Sequence, residues 1–233
     1  MENTNNSRLI GKKLYIIIAG GIASGKTTLA LNLASIIKNC FYIDKDDLGP
    51  MARKMFDLAY KDLYDRQGKF FRDHVRDVEY TVTQIMALRG FVFNDCVIVN
   101  TPYTGEICEE FSGKQSETLG KLRDEIHARG GELMVVFISI GREEAKNRLN
   151  RRKERDPEAA IRTPKVYENM DKFLDGQNLT VPEDAGLISA DHFFVFDGMH
   201  SGESFEELKG YLGIEDNGRY DIDINKKPFM GDV

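Results

Sequence analysis

A chain of 233 residues with 41% hydrophobic composition is long enough to bury a full core, and it carries no internal repeat or low-complexity stretch, which excludes solenoid and linker architectures. Its net charge of −6 argues against a protein that coats nucleic acid over its whole surface, because such a footprint is basic. Cys40, Cys96 and Cys108 lack C-x-x-C spacing, so neither a disulfide framework nor a zinc site is indicated, and a reducing, cytoplasmic setting is expected.

The opening residues Met1 to Ser7 are polar, and the apolar run after Lys13 is too short for a signal-peptide core or a membrane span. Tyr15 to Ala19 reads as a buried, β-branched strand. It runs directly into Gly20-Gly21-Ile22-Ala23-Ser24-Gly25-Lys26-Thr27, which fits the phosphate-binding pattern G-x-x-x-x-G-K-[ST]. Residues 27 to 38 then read as a helix with Leu29, Leu33 and Ile36/Ile37 on its apolar face. Strand, glycine loop and helix stand in the order that nucleotide binding needs. Glycines let successive N–H groups and the positive helix end surround an anion, the Lys26 amine can reach the β and γ phosphates, and the Thr27 hydroxyl can ligand magnesium. Gly20 through Thr28 are therefore the expected nucleotide-binding residues, and an ordinary glycine turn would need neither the lysine nor the hydroxyl.

Further strands are expected at Cys40–Asp44, Val97–Val99, Leu133–Ile138 and His192–Phe196. Helical patterns fill much of residues 51–90, then 118–129 closed by Gly130-Gly131, the charged run from Glu143, and 203–212. Short apolar strands separated by helices imply an α/β fold with a parallel sheet covered on both faces, whose ligands sit at the strands' carboxyl ends. We expect one domain over 1–214, with 51–90 on the substrate side, 142–165 as a lid and 215–233 as a polar tail.

Asp44-Lys45-Asp46-Asp47 follows the second strand and should share a sheet edge with the glycine loop. Asp46 is the candidate base for an attacking hydroxyl and Asp44, with Thr27, the candidate metal ligand; Asp47 can equally serve as a helix cap. Residues 142–155 hold seven basic and three acidic side chains. Arg148, Arg152 and Arg155 fall at i, i+4 and i+7, on one helical face that can close over phosphates, while Glu143, Glu144 and Glu154 offer the competing account of an exposed helix laced by ion pairs. On the acceptor side, Arg53, Arg72, Arg76 and Tyr103 are the candidate substrate contacts. The Phe70-Phe71 pair reads as core, and His74 beside Asp73 as a surface group.

The loop from Gly20 to Thr27, the acids of 42–47, the strand end Val97-Ile98-Val99-Asn100-Thr101-Pro102 and the run Arg148 to Asp156 together resemble the small P-loop kinases, in particular the group with polynucleotide 5′-hydroxyl kinase, chloramphenicol phosphotransferase and zeta-toxin-type kinases. The resemblance covers residues 12 to 200. It implies a parallel five-stranded core, ATP with magnesium, an acid after the second strand as base, here Asp46, and an arginine-bearing lid matched by Arg148 with Arg152 or Arg155. Two positions depart from it. Asn100 stands where many relatives carry an acid, which shifts magnesium duty toward Asp44, and Gly49 stands where polynucleotide kinases carry a phosphate-binding arginine, which makes nucleic-acid ends a less comfortable acceptor.

The expectation is thus an ATP- and magnesium-dependent kinase acting on a hydroxyl of a small molecule or nucleoside. A nucleotide switch is the alternative of another class, and a kinase for nucleic-acid 5′ ends the alternative acceptor. GTP is an open alternative to ATP, and no sequence feature fixes the oligomeric state. Asn225-Lys226-Lys227 begins like the guanine-reading N-K-x-D motif, but Pro228 replaces the acid.

Overall fold

The computed structural model describes Leu9 and residues 11–60, 64–66, 68–111, 113–114, 116–177, 179–181 and 189–214. The expected tail at 215–233, including the N-K-x-D-like residues, and the polar opening lie outside them. Strands β1 (Leu14–Gly20), β2 (Cys40–Asp44), β3 (Cys96–Asn100), β4 (Glu132–Ser139) and β5 (His192–Asp197) form one sheet in the order β2-β3-β1-β4-β5. Every pairing is parallel. The expected five-stranded parallel core is therefore present.

Why the sheet is buried on both faces follows from the strands' composition. In β1, Tyr15, Ile17 and Ala19 point to one side and Leu14, Ile16 and Ile18 to the other, and all are buried. Leu133, Val135 and Phe137 of β4 join the first face, and Met134, Val136 and Ile138 the second. Each of the Leu, Ile, Val, Phe and Met side chains contributes about 1.5–3 kcal/mol when fully withdrawn from water. The first face is covered by α3 (Arg76–Phe93), α4 (Thr104–Phe111) and α5 (Glu117–His127) through Ala87, Phe91, Ile107, Leu119, Leu122 and Ile126. The second is covered by α1 (Lys26–Ile36) and α10 (Ser201–Leu212) through Leu29, Leu33, Leu208 and Leu212.

Two smaller clusters flank this three-layer body. On the substrate side, α2 (Gly49–Leu58) packs Ala52 and Phe56 against Phe71 and Val75 of a π-helical turn at 71–75 that leads into α3. Phe71 is thus core and Phe70 packs against the same cluster, as expected. Opposite, α6 (Arg142–Arg155) buries Ala145 and Leu149 against Val166 of α8 (Pro164–Glu168) and Leu174 of α9 (Met170–Asp175), with α7 (Glu158–Arg162) between. Ile22 and Ala23 of the glycine loop pack on this cluster. Among the described residues, no helix is long and apolar enough to cross a membrane.

Gly131 sits where the turn after α5 enters β4, and a Cβ there would collide with the buried Phe91 ring and stand 2.9 Å from the Lys13 carbonyl oxygen. Gly131→Ala is expected to lose about 1–3 kcal/mol in urea denaturation. Gly120→Ala, a helical position where a Cβ meets nothing within 4 Å, should be neutral or stabilising by up to about 1 kcal/mol.

Candidate active site

The parallel sheet delivers the ends of β1, β2 and β3 to one edge. β1 ends at Gly20, whose φ of 141° only glycine adopts readily; a Cβ there would lie 2.9 Å from the Ile138 carbonyl oxygen and 3.0 Å from Ser24 Oγ. Gly25 has φ 100° and precedes α1 without a side-chain cap, while Ala23 is also left-handed at φ 58°. The loop is therefore bent into a cradle that opens on the helix N-terminus. Inside it the buried Ser24 hydroxyl has no hydrogen-bond partner among the described residues. A polar atom orphaned within a curled, glycine-bounded loop fits a phosphate group.

Lys26 folds back over this loop, donating to the carbonyls of Gly20 at 3.1 Å and Gly21 at 2.7 Å. Burial draws its ammonium down to about 8; Asp46 and Asp44 pull the other way, and Lys45 and Arg152 add to the fall. An incoming anion would relieve that cost.

At the ends of β2 and β3, Asp44 and Asn100 are register partners. The Asn100 amide donates to Thr27 Oγ1 at 2.9 Å and also to Asp44 Oδ2. Tyr42 donates its hydroxyl to the same carboxylate oxygen at 3.1 Å, Thr27 Oγ1 lies 3.4 Å from it, and the Asp46 N–H donates to Oδ1 at 2.8 Å. Burial, and next to it the Asp46 charge, raises Asp44 above the usual carboxylate range, although the three donors oppose the rise. One carboxylate and one hydroxyl are hard oxygen donors of the kind magnesium takes together with waters and substrate phosphates. Among the described residues no group of three or more His, Cys, Asp or Glu could hold a metal alone, so a metal here would lean on the phosphates.

The first turn after β2 holds a feature that motif reading passed over. Lys45 is buried, and its Nζ donates to Asp46 Oδ1 at 3.0 Å and Glu79 Oε2 at 3.1 Å. Arg66 Nη2 donates to Glu79 Oε1 and Oε2 at 2.9 and 2.7 Å and lies 3.3 Å from Asp46 Oδ1. Glu79 is fully buried. Two cations and two carboxylates thus close a neutral network whose open end is Asp46, with 68% of its side chain exposed. Burial acts to raise Asp46, yet Lys45 and Arg66 outweigh it and hold the carboxyl below its ordinary value. The signal for Glu79 was present in the row Val75, Glu79, Thr83, Ala87, Phe91, five buried positions four residues apart in which a carboxylate interrupts small and apolar side chains.

The α6 arginines separate into different situations. The Arg148 guanidinium donates to Glu144 at 2.9 Å and to the carbonyls of Ser24 at 2.9 Å and Gly198 at 2.7 Å, so it braces the glycine loop against the end of β5. Arg155 donates to the Arg151 carbonyl at 3.4 Å. Arg152 is exposed, makes no hydrogen bond or ion pair among the described residues, and stands near enough to lower Lys26. Arg142 and Lys146 pair with Asp171, and Arg151 with Glu144, as the ion-pair account of this helix would have it. On the acceptor side, Tyr103 is buried in the core, edge-on to Tyr80 with ring centres 5.5 Å apart, because α4 begins at Thr104 and turns the loop inward. Arg53, Arg72 and Arg76 are exposed on the α2–α3 side.

The sheet order, the glycine loop and the acid-bearing edge together define the P-loop kinase fold. No protein-family model and no curated protein sequence matches this chain. Among solved structures, a gluconokinase from Sinorhizobium meliloti 1021 is similar with a TM-score of 0.51 and 18% identity over 91% of this chain and 97% of its own. A protein from Chloroflexus aurantiacus j-10-fl, assigned provisionally as a kinase, is similar with a TM-score of 0.52 and 14% identity over 87% of this chain and 98% of its own. At such identities the likeness shows the fold, and the chemistry has to come from the residues of this chain.

Glu79→Gln removes the charge that balances two cations in the interior. It is expected to cost about 3 kcal/mol or more in chemical denaturation, and a loss below about 0.5 kcal/mol would show that Lys45 and Arg66 do not depend on it.

Proposed function

We propose that the protein is an ATP- and magnesium-dependent kinase that transfers the γ-phosphoryl group to a hydroxyl of a small molecule or nucleoside. The observation that carries this reading is the placing of Asp46. It lies at the same sheet edge as Lys26 and the Thr27–Asp44 pair, with Oδ1 held by Lys45 and Arg66 and the side chain open to solvent. A solvent-facing carboxylate fixed in this way beside the phosphate loop suits an acceptor hydroxyl, which favours the kinase reading over a nucleotide switch.

The roles proposed for the residues are as follows. The N–H groups of residues 20–28 and the Lys26 amine receive the phosphates, Lys26 exchanging its two carbonyl partners for phosphate oxygens. Thr27 and Asp44, kept in register by the Asn100 amide, would hold magnesium, which when bound would supply charge neutralisation for the phosphates. Asp46 accepts the acceptor hydroxyl on its second oxygen, orients it and takes its proton. A carboxylate held ionised is suited to this, because the loose transition state of phosphoryl transfer needs an aligned nucleophile more than a strong base. Arg148 keeps the loop in shape from its carbonyl side, and Arg152, without a partner of its own, supplies charge toward the phosphates.

The test is turnover of magnesium-ATP by the purified protein with a panel of nucleosides, sugars, aminoglycoside-like alcohols and 5′-hydroxyl oligonucleotides, following phosphate on each acceptor. Lys26→Ala is expected to weaken nucleotide binding or turnover whichever acceptor is used. Asp46→Asn should keep ATP affinity near that of the parent protein while transfer falls on the order of a hundredfold. Undiminished transfer in that variant would remove Asp46 from the chemistry.

A further inference from the structure

The proposed acceptor side is built on a closed network of charges bordered by two tyrosines. The network joins Lys45, Arg66, Asp46 and Glu79, two positive and two negative groups that cancel. One tyrosine is Tyr64, packed edge-on to Phe56 at 5.0 Å, its hydroxyl 3.4 Å from the Gly49 carbonyl and within the fields of Arg66, Glu79, Arg53 and Asp46. The other is Tyr80, which stands 5.8 Å from Lys45 Nζ and edge-on to Tyr103. Both rings therefore border the network that ends at Asp46.

Each tyrosine has one arginine beside it. The Arg53 guanidinium carbon lies 5.2 Å from the Tyr64 ring centre, and that of Arg76 lies 5.0 Å from the Tyr80 ring centre. Both side chains are exposed, and neither makes a hydrogen bond or ion pair with any described residue. In this they resemble Arg152 and differ from Arg142, Lys146, Arg148 and Arg151 of α6, which are all taken by acids. The nearby Asp73 is likewise taken, by Lys69. A guanidinium lying against an aromatic ring loses much of its freedom but keeps its N–H edge available, which is the arrangement that receives a planar or tetrahedral oxyanion in bidentate fashion. With the network below them neutral, neither arginine is spent on it, and each keeps a guanidinium edge for a ligand.

The geometry points to an acceptor that carries an anionic group of its own, a carboxylate or a phosphate, bound by Arg53 and Arg76 while its hydroxyl lies at Asp46. This deepens the kinase reading and rests on it. The two arginines then act as specificity determinants: they select which alcohol enters, whereas Asp46 acts on whichever hydroxyl is presented. A neutral alcohol would gain less from them, since hydrogen bonds from a guanidinium to a hydroxyl are weaker than a bidentate pair with an oxyanion.

The deciding experiment uses the full chain saturated with a non-hydrolysable ATP analogue and magnesium, so that the glycine loop is filled and cannot itself take the probe. Inorganic phosphate and acetate are titrated separately, following the arginine Nε–Hε resonances assigned through the Arg53→Met and Arg76→Met variants. Saturable shifts at Arg53 and Arg76 are expected with at least one probe, with affinity falling about tenfold in either variant and recovering in part in Arg53→Lys, which keeps the charge but not the fork. A response to phosphate alone assigns a phosphorylated acceptor, and a response to acetate a carboxylate. In parallel, glycerol, glycerate and glycerol 3-phosphate serve as matched acceptors, and either anionic member should be labelled faster than glycerol. The proposal is overturned if neither probe moves these resonances, if the variants bind the probes as the parent does, or if glycerol is labelled as fast as its anionic relatives. Failure of the ATP analogue to bind strikes the kinase reading instead; the anion titration is then repeated on Lys26→Ala, whose loop has lost its lysine, and is judged by the same shifts at Arg53 and Arg76.

Discussion

The structure depends on one constraint, that all five strands run in parallel and so deliver their carboxyl ends to the same edge. With β1 central, Ile18 is opposite Asn100 of β3 on one side and Val136 of β4 on the other, and Asp44 is opposite Asn100. Residues 27, 44 and 100, distant in the chain, meet for that reason alone. A strand inserted between β1 and β3, or a reversed β2, would separate Thr27 from Asp44 and leave a glycine loop with no acid beside it. The depth of the core around β1, where every residue of the strand is buried, is what allows so short a loop to hold left-handed backbone at Gly20, Ala23 and Gly25.

Charge at this edge is set in three different surroundings that act on one another. Lys26 rests on the Gly20 and Gly21 carbonyls, and burial draws its ammonium down. Asp44 is surrounded by donors from Tyr42, Asn100 and the Asp46 N–H, an arrangement that directs its oxygens without neutralising them. Asp46, two residues on, is flanked by cations and stays ionised. Adjacent carboxylates with opposite surroundings can divide the work of holding a metal and receiving a hydroxyl, since desolvation governs the first and charge pairing offsets it in the second.

Much of this was legible in the residues. The strands were readable because a parallel sheet buried on both faces needs uninterrupted apolar runs, and β2 falls at Cys40–Asp44 as its sequence indicates. The glycine loop was readable because each of its residues has a separate mechanical duty. The helices α4, α7, α8 and α9 were not, since segments of five to eight residues scarcely complete two turns and show little periodicity. Arg148 looked like its neighbours on one helical face; only the folded chain shows its guanidinium spent on the carbonyls of the loop and of Gly198, leaving Arg152 open. Tyr103 looked like a cleft residue because of its position after β3, but the turn into α4 carries its ring into the core. The Lys45–Glu79–Arg66 network has no motif, since its members are joined by packing rather than by spacing.

A crystal structure of the full chain with magnesium and a non-hydrolysable ATP analogue tests the assignment of this edge most directly. Expected are the β and γ phosphates within residues 20–28, Lys26 moved from the Gly20 and Gly21 carbonyls onto phosphate oxygens, the metal beside Thr27 and Asp44, and the free oxygen of Asp46 facing the γ-phosphate. Nucleotide bound away from the loop, or Lys26 still resting on its carbonyls with the phosphates elsewhere, would contradict it.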